Sequence, residues 1–571
     1  MKNSKALATI LALAMVMAIV LASCGGDDGS QPSGAGGDSG SSGTSSSGDS
    51  GPASTGDSNA SADQIYKDAR DYTAQVEAEI QAGAASSRDT LTFGCVADPG
   101  KISLDNLLDD TQKVMATAAV EYFTRYDFTK EAYYSPVCDS MEADADGMGV
   151  TFHITPDIKM NDGEIFDATD LITSIKAFRE HSGLGWQLDF VDLDATEIID
   201  PYTIDIRFNM VNGVWETSFE MLTLVSGKAY DAVNGDESFY QAPIGPQAYN
   251  VTEWVSGDHI TFTRFDDYYM GTPPIKTIVC KMISDQTAGF MALQNGDIDL
   301  FWSLSSDQVR SLYASENHEL MSAGQNWMIY MGMNCANEAL SDRRVREAIT
   351  LTVNRQDIID GAYDGLSSPS YSIYTPESIG YDTAWETNSL YPALDVEKAK
   401  GLLAEAGYGD GLTLRILGQS TTSFQLMVEQ MSAQLSEIGI TLDPMLADYA
   451  TVSGIIFSGD TAGYDLFLGS VEDCGDSIAT IDNPMLFGAS HPELSSDGSG
   501  DELMALYGQI RGTTDIAGRE KLYKELNSFF FDKGFYWIPM SVAQSYVAVD
   551  KDLTGMRLNG FLIYFEGAYY R

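Results

Sequence analysis

The tightest constraint on the fold of this chain is a strand-helix-strand unit late in the sequence. Leu412 to Leu417 reads as a β-strand, and the residues after it place Phe424, Met427, Val428, Met431, Leu435 and Ile438 at three- and four-residue spacing, the apolar stripe of one helix face. Ser423 is placed to cap that helix and Gly439 to end it. Ile440 to Met445 then reads as a second strand. Two strands joined through a helix of this length run parallel with a right-handed crossover, so the body belongs to the α/β class. A second unit has the same grammar: Ala288 to Leu293 is helical in composition, Gly296 is placed to end the helix, and Asp297 to Trp302 reads as the strand that follows. A further apolar strand, Tyr464 to Leu468, runs into the acidic loop Gly469 to Asp476. Ligands of open α/β sheets lie beyond the carboxyl ends of the strands. The loops after Trp302 and after Leu468 are therefore candidate ligand loops.

Upstream, Ala62 to Ala82 reads as a helical lead-in, and Thr90 to Val96 as a first strand stopped by Asp98-Pro99-Gly100. Asp98 is then either a ligand contact or a turn residue. Asp144 to Gly147 and Asn161-Asp162-Gly163 are turn signals on either side of the alternating segment Val150 to Ile154, which predicts hairpin structure there.

At the amino end, Lys2 and Lys5 precede a mostly apolar run from Ala6 to Ala22, the basic and apolar parts of an export signal. Leu21-Ala22-Ser23-Cys24 resembles a bacterial lipobox, which would place a lipid on Cys24 and remove residues 1–23. The alternative is an uncleaved transmembrane anchor. Residues 25–60 are almost wholly Gly, Ser, Asp, Ala and Thr, too poor in apolar surface to order themselves, and read as a leash with a reach of roughly 30 to 35 Å. The expected location is extracytoplasmic, tethered to the cell membrane.

The 571 residues carry 83 acidic and 33 basic side chains, a formal charge of -50. Such a balance repels phosphate backbones, so nucleic acid is excluded as a partner. The cysteines after Cys24, namely Cys95, Cys138, Cys280, Cys335 and Cys474, are too dispersed for a zinc cluster or a redox pair, and an odd number leaves one unpaired within a monomer. The sequence does not choose among their pairings. The histidines at 153, 181, 259, 318 and 491 form no metal-binding motif, and Glu142-x-Asp144-x-Asp146-Gly147 lacks the bidentate glutamate of a calcium loop, since His153 holds the twelfth position. No nucleophile elbow and no Walker phosphate loop occurs. Neither a metal, a cofactor nor an enzymatic reaction is expected.

Four segments in order resemble one family. Val150 to Gly163 with Asp167 to Leu171, then Ala248 to Trp254 with Asp267 to Tyr269 and Ala292 to Asp299, then Asp342 to Ala348, Asn354 to Ile358 and Asp395 to Tyr408, and last the strand and loop that carry Asp473, are similar to the peptide/nickel-type (family five) extracellular solute-binding proteins of ATP-binding-cassette importers. The likeness spans about residues 90 to 571. It implies a two-lobed periplasmic-binding-protein-like fold (type II), with residues 90–322 plus 544–571 as the first lobe, a subdomain at about 111–215, residues 323–543 as the second lobe, and 61–89 as the lead-in. It implies a monomer that binds an oligopeptide, a dipeptide or another small solute between its lobes and delivers it to a permease and ATPase complex. Asp473 falls where peptide-binding members place the aspartate that pairs with the α-ammonium. Two departures affect the ligand class: Ser470 to Cys474 replaces the usual Trp-Gly-Ala-Asp-Tyr, and Ile244 to Tyr249 alters a Gly-Thr-Gly-Pro-Tyr stretch. Trp302, Trp327 and Tyr249 complete the candidate ligand residues, the two tryptophans being either crevice aromatics or core. A surface sensor using the same crevice, and a carrier of oligosaccharides or nickel chelates, are the competing functions.

Overall fold

The computed structural model describes residues 86–571, apart from 97, 103–109, 128–131, 183, 323, 326, 364–365, 388, 458–460, 473–474, 479–480, 482–488, 545 and 560–561, together with residues 76, 78 and 80. Cys24, the 25–60 segment, most of the 62–82 segment, Asp473 and Cys474 lie outside the described residues.

Strand β1 (Thr90–Cys95) opens the body. A short hairpin of β2 (Arg125–Asp127) and β3 (Ala132–Tyr134) follows. Strands β4 (Cys138–Ala143), β5 (Gly149–Ile154), β6 (Val191–Asp200) and β7 (Thr203–Phe208) then build a four-stranded antiparallel sheet in the order β4-β5-β7-β6. The turn between β4 and β5 is the one the sequence signals, with Gly147 at φ +68 and its amide donating to the Asp144 carbonyl at 3.0 Å. Helix α1 (Ala168–His181) packs on this sheet through Leu171, Ile175 and Phe178. Its start is a capping box between Asp167 and Asp170. Helix α2 (Trp215–Phe219) leaves the subdomain.

Strands β8 (Tyr249–Val255), β9 (His259–Arg264) and β10 (Thr277–Met282) follow, then helix α3 (Gln286–Asn295), β11 (Leu300–Phe301) and β12 (His318–Ser322). Gly296 ends α3 at φ +75, as its position predicts. The expected strand from Asp297 shrinks to two residues because Asp299 turns inward: its carboxylate accepts the Thr92 amide at 2.8 Å and pairs with Arg88.

The second large sheet begins with β13 (Trp327–Met333). Helix α4 (Arg343–Thr352), β14 (Ser367–Pro369), β15 (Leu412–Gln419), helix α5 (Thr422–Ser436), β16 (Ile440–Ala447) and β17 (Leu466–Glu472) follow. Helices α6 (Ser499–Arg511) and α7 (Ile516–Phe529), then β18 (Trp537–Ala543), complete it, and β19 (Tyr546–Asp550) returns to the first sheet. The strand orders are β12-β19-β11-β1-β10-β9-β8 and β14-β18-β13-β17-β15-β16. β15 and β16 are parallel over Leu412–Gln419, as the strand-helix-strand unit requires. Thr421 rather than Ser423 caps α5, its side chain accepting the Phe424 amide.

Buried arginines hold the second sheet's helices in place. Arg346 of α4 is fully buried and donates to the carbonyls of Leu340, Ser341 and Gly534 and to Ser495 Oγ at 2.8 to 3.1 Å. Arg355 donates to the Pro539 carbonyl at 2.8 Å and lies over the Tyr391 ring. These two family-like segments therefore serve structure. Cys95, Cys138, Cys280 and Cys335 are all buried.

Candidate ligand crevice

Strand register fixes where a ligand can sit. β1 is parallel to β10 and β11, and β19 is antiparallel to β11 and β12, so Cys95, Met282, Phe301 and Ser322 all end at the same edge as Tyr546. In the second sheet Trp327 lies opposite Glu472 and Ala543, and β15 is parallel to β17, so the carboxyl ends of β15 and β17 share an edge with the start of β13. Residues 323–326 and 544–545 connect those two edges. The chain thus passes between the two large sheets at the edges where the carboxyl ends of their parallel strands lie, the end at which open α/β sheets bind ligands. Gln544 Nε2 donates to Ser322 Oγ at 2.5 Å, tying the two connecting segments together.

The sequence-derived site residues separate on this frame. Trp327 is half-buried at the first position of β13, directly opposite Glu472, so it shares a sheet end with the loop that carries Asp473. The loop starts later than the sequence implies. Gly469 to Glu472 is strand, because it pairs residue for residue with Trp327 to Tyr330. Trp302 is 4% exposed and belongs to the core of the first sheet. Tyr249 is fully buried in the same core, where its hydroxyl donates to the Phe565 carbonyl at 3.4 Å. Asp98 closes a turn: it accepts the Gly100 amide at 3.1 Å, Ser256 Oγ at 2.8 Å and the Gly257 amide at 3.0 Å. Partial burial would raise its pKa, but those donors outweigh burial and hold it below the usual carboxylate range.

Beyond Asp473 the loop turns at Gly475 (φ +78) and buries Asp476 completely. Asp476 Oδ2 meets Arg519 Nε at 3.0 Å, while Oδ1 accepts the Tyr523 hydroxyl and the Ile478 amide. Burial drives the Tyr523 phenol far above its ordinary pKa, with Asp476 adding to the shift. In the sequence Asp476 is marked only as the end of an acidic loop, and nothing singles out Arg519 or Tyr523. Their separation of 43 and 47 residues leaves no local signal. Opposite this loop stand residues of the subdomain side. Tyr133 Oη accepts the Asp476 amide at 3.2 Å and bonds Thr217 Oγ1 at 3.0 Å. Glu216 of α2 is half-buried, and burial pushes its pKa up to about 7 against the opposing pull of Arg519, with Asp476 adding to the rise. Among the described residues, no group of three or more His, Cys, Asp or Glu is arranged to hold a metal ion. A concavity of about 320 Å³ lies elsewhere, between Arg88-Asp89, Pro273-Pro274 and Tyr569-Tyr570 at the amino ends of β1 and β10.

Residues 132–469 match the family described as bacterial extracellular solute-binding proteins, family 5 Middle. The chain belongs to that family. Among curated relatives, the glutathione-binding protein GsiB of Salmonella paratyphi A is 25% identical over 429 residues, 72% of this chain and 80% of the relative. Among solved structures, the periplasmic binding protein DppA of Helicobacter pylori in complex with the peptide STSA has a TM-score of 0.72 at 18% identity, covering 86% of this chain and 99% of that one. The binding protein AgaA of A. tumefaciens R10 in complex with agropinic acid has a TM-score of 0.72 at 24% identity, covering 84% and 99%. The fold is thus the mixed α/β periplasmic-binding-protein fold. As a family 5 protein the chain is the extracytoplasmic, non-enzymatic substrate-binding component of an ATP-binding-cassette importer.

Proposed function

We propose that the imported solute is a short peptide, held by its amino end on Asp473 in the crevice between the two large sheets, and that the protein is tethered by a lipid on Cys24. The observation that carries the peptide reading is the commitment of the neighbouring acid: Asp476 is wholly buried and fully engaged by Arg519, Tyr523 and the Ile478 amide. Asp473, three residues before it and directly after β17, is the carboxylate we assign to an incoming ammonium. An ammonium supplies three donors, and in a closed crevice a carboxylate needs such partners. Half-buried Trp327, opposite Glu472 at the same sheet end, offers an apolar face. The named ligands of relatives include glutathione and a tetrapeptide, both with free α-ammonium groups, which supports an amine-reading site.

Titration calorimetry with trialanine and N-acetyl-trialanine on wild type and Asp473→Ala tests this. Losing the pair inside the crevice should weaken trialanine binding by about 2 to 5 kcal/mol. Acetylation should weaken the wild type comparably and the variant much less, since both changes remove one interaction. Equal losses from acetylation in both proteins would overturn the assignment.

A further inference from the structure

The loop that leaves β17 touches the subdomain at several points. Gly475 lies so close under Tyr126 and Tyr133 that a Cβ there would fall 2.8 Å from the Tyr126 ring and from the Tyr133 hydroxyl. Asp476 donates its amide to that hydroxyl and holds Arg519 by its carboxylate. Arg519 in turn sends Nη1 to the Gly213 carbonyl at 2.7 Å, as well as to the carbonyls of Thr513 and Thr514 in the turn between α6 and α7. The Gly213 amide donates to the Arg511 carbonyl at 2.7 Å, and Val214 is buried in the second-sheet core against Leu506 and Ile510. Segment 209–214 is itself anchored to the subdomain, where the Asn212 amide donates to the Gly147 carbonyl at 3.0 Å.

Resting on the reading that a solute sits between the two sheets, we propose that Gly213, Tyr133, Asp476 and Arg519 form a clasp that engages when the crevice closes, coupling the ligand loop directly to the subdomain across from it. Three features give it that character. Among the described residues the joint rests on a few hydrogen bonds, the approach of Gly475 to Tyr126 and Tyr133, and buried Val214, so it can part without unfolding either side. It is built on backbone groups approaching too closely for a side chain: a Cβ on Gly213 would lie 2.2 Å from the Thr513 carbonyl oxygen. And its second-sheet half starts at Asp476, three residues after Asp473, where the Asp476 carboxylate holds the Arg519 fork, so the Asp476 amide and that fork are presented together. A solute on the loop therefore stabilises the joined arrangement through contacts it does not itself make.

Gly213 has no left-handed backbone requirement, so Gly213→Ala is tolerated by its own segment and obstructs the joint alone. Amide hydrogen exchange of the ligand-free protein, resolved at residues 213 and 476, is the test. If the clasp opens as a unit, both amides exchange at least about a hundredfold faster than core amides of β1 and β13, since local opening requires less free energy than global unfolding. In Gly213→Ala the Asp476 amide should exchange about tenfold faster still or more, with the β1 and β13 amides unchanged. Exchange of the two amides at the rate of the core strands would show a permanent structural contact and overturn the proposal. So would an Asp476 amide indifferent to Gly213→Ala, or β1 and β13 amides that lose protection with it. Tyr133→Phe, which keeps the ring and removes the acceptor of the Asp476 amide, should reproduce the effect at Asp476 without a clash. Trialanine should slow both amides in the wild type; if it slows none while the ligand-free results hold, the peptide reading fails and the clasp stands.

Discussion

Two aspartates three positions apart separate into different chemistry because of what each can reach. Asp476 has an arginine, a phenol and a backbone amide around it and is sealed from water. A buried carboxylate so partnered is stable as a fixture and useless as a receptor. Glu216 is the converse case, a carboxylate facing Arg519 and Asp476 whose burial favours the protonated form, to a pKa of about 7 from an ordinary 4.5. Its folded-state pKa is raised, so the folded protein holds a proton that the unfolded chain releases across that window. The resulting stabilisation is full below pH 4.5 and is lost as pH rises through 7. Because water still reaches part of the side chain, we predict a contribution of about 1 to 2 kcal/mol. Urea unfolding at pH 5 and pH 8 should show the wild type losing that much more stability than Glu216→Gln, and parallel pH profiles would contradict it. None of this pairing was legible from the sequence. Asp473 was marked by its place after an apolar strand and by resemblance, whereas Glu216, Asp476 and Arg519 meet only through the folding of segments about 260 to 300 residues apart.

At the scale of elements, the strand-helix-strand unit at 412–447 could be read directly because its helix periodicity and its Gly439 stop agree with the parallel pairing seen. The ends of elements were less legible. β17 runs on to Glu472 because β13 offers it a full ladder, a non-local partner that local composition does not register. Tyr249 and Trp302 illustrate the same limit, since an aromatic on a strand does not disclose which face of the sheet will be covered. The connection between the sheets carries its own prediction. Gly324 adopts φ +84, and a Cβ there would lie 2.8 Å from Glu377 Oε1, whose carboxylate also accepts the Gln325 amide. Gly324→Ala should disfavour this arrangement of the connection by about 1 to 2 kcal/mol. Calorimetry should then read trialanine binding weakened roughly 5- to 30-fold, and an unchanged dissociation constant would contradict that role for the connection.

Across the whole molecule, topology explains how one chain can grip a solute. The backbone passes from the first sheet to the second after β12 and returns before β19, so the two sheets are linked by a pair of short segments at their carboxyl-end edges. Such a linkage permits hinge closure, in which a solute that contacts both sides selects the closed state. Asp194 and Lys521 are both exposed, one on the subdomain and one on α7, and suit a pair of spectroscopic labels that report their separation. The decisive measurement is the distance between them in the presence of a mixed pool of tripeptides with free or acetylated amino ends. Free tripeptides should shorten the distance and be recovered chemically intact, while the acetylated pool should leave it long. A distance unmoved by free tripeptides, or shortened equally by acetylated ones, would contradict the claim that this protein closes on a peptide held by its amino end.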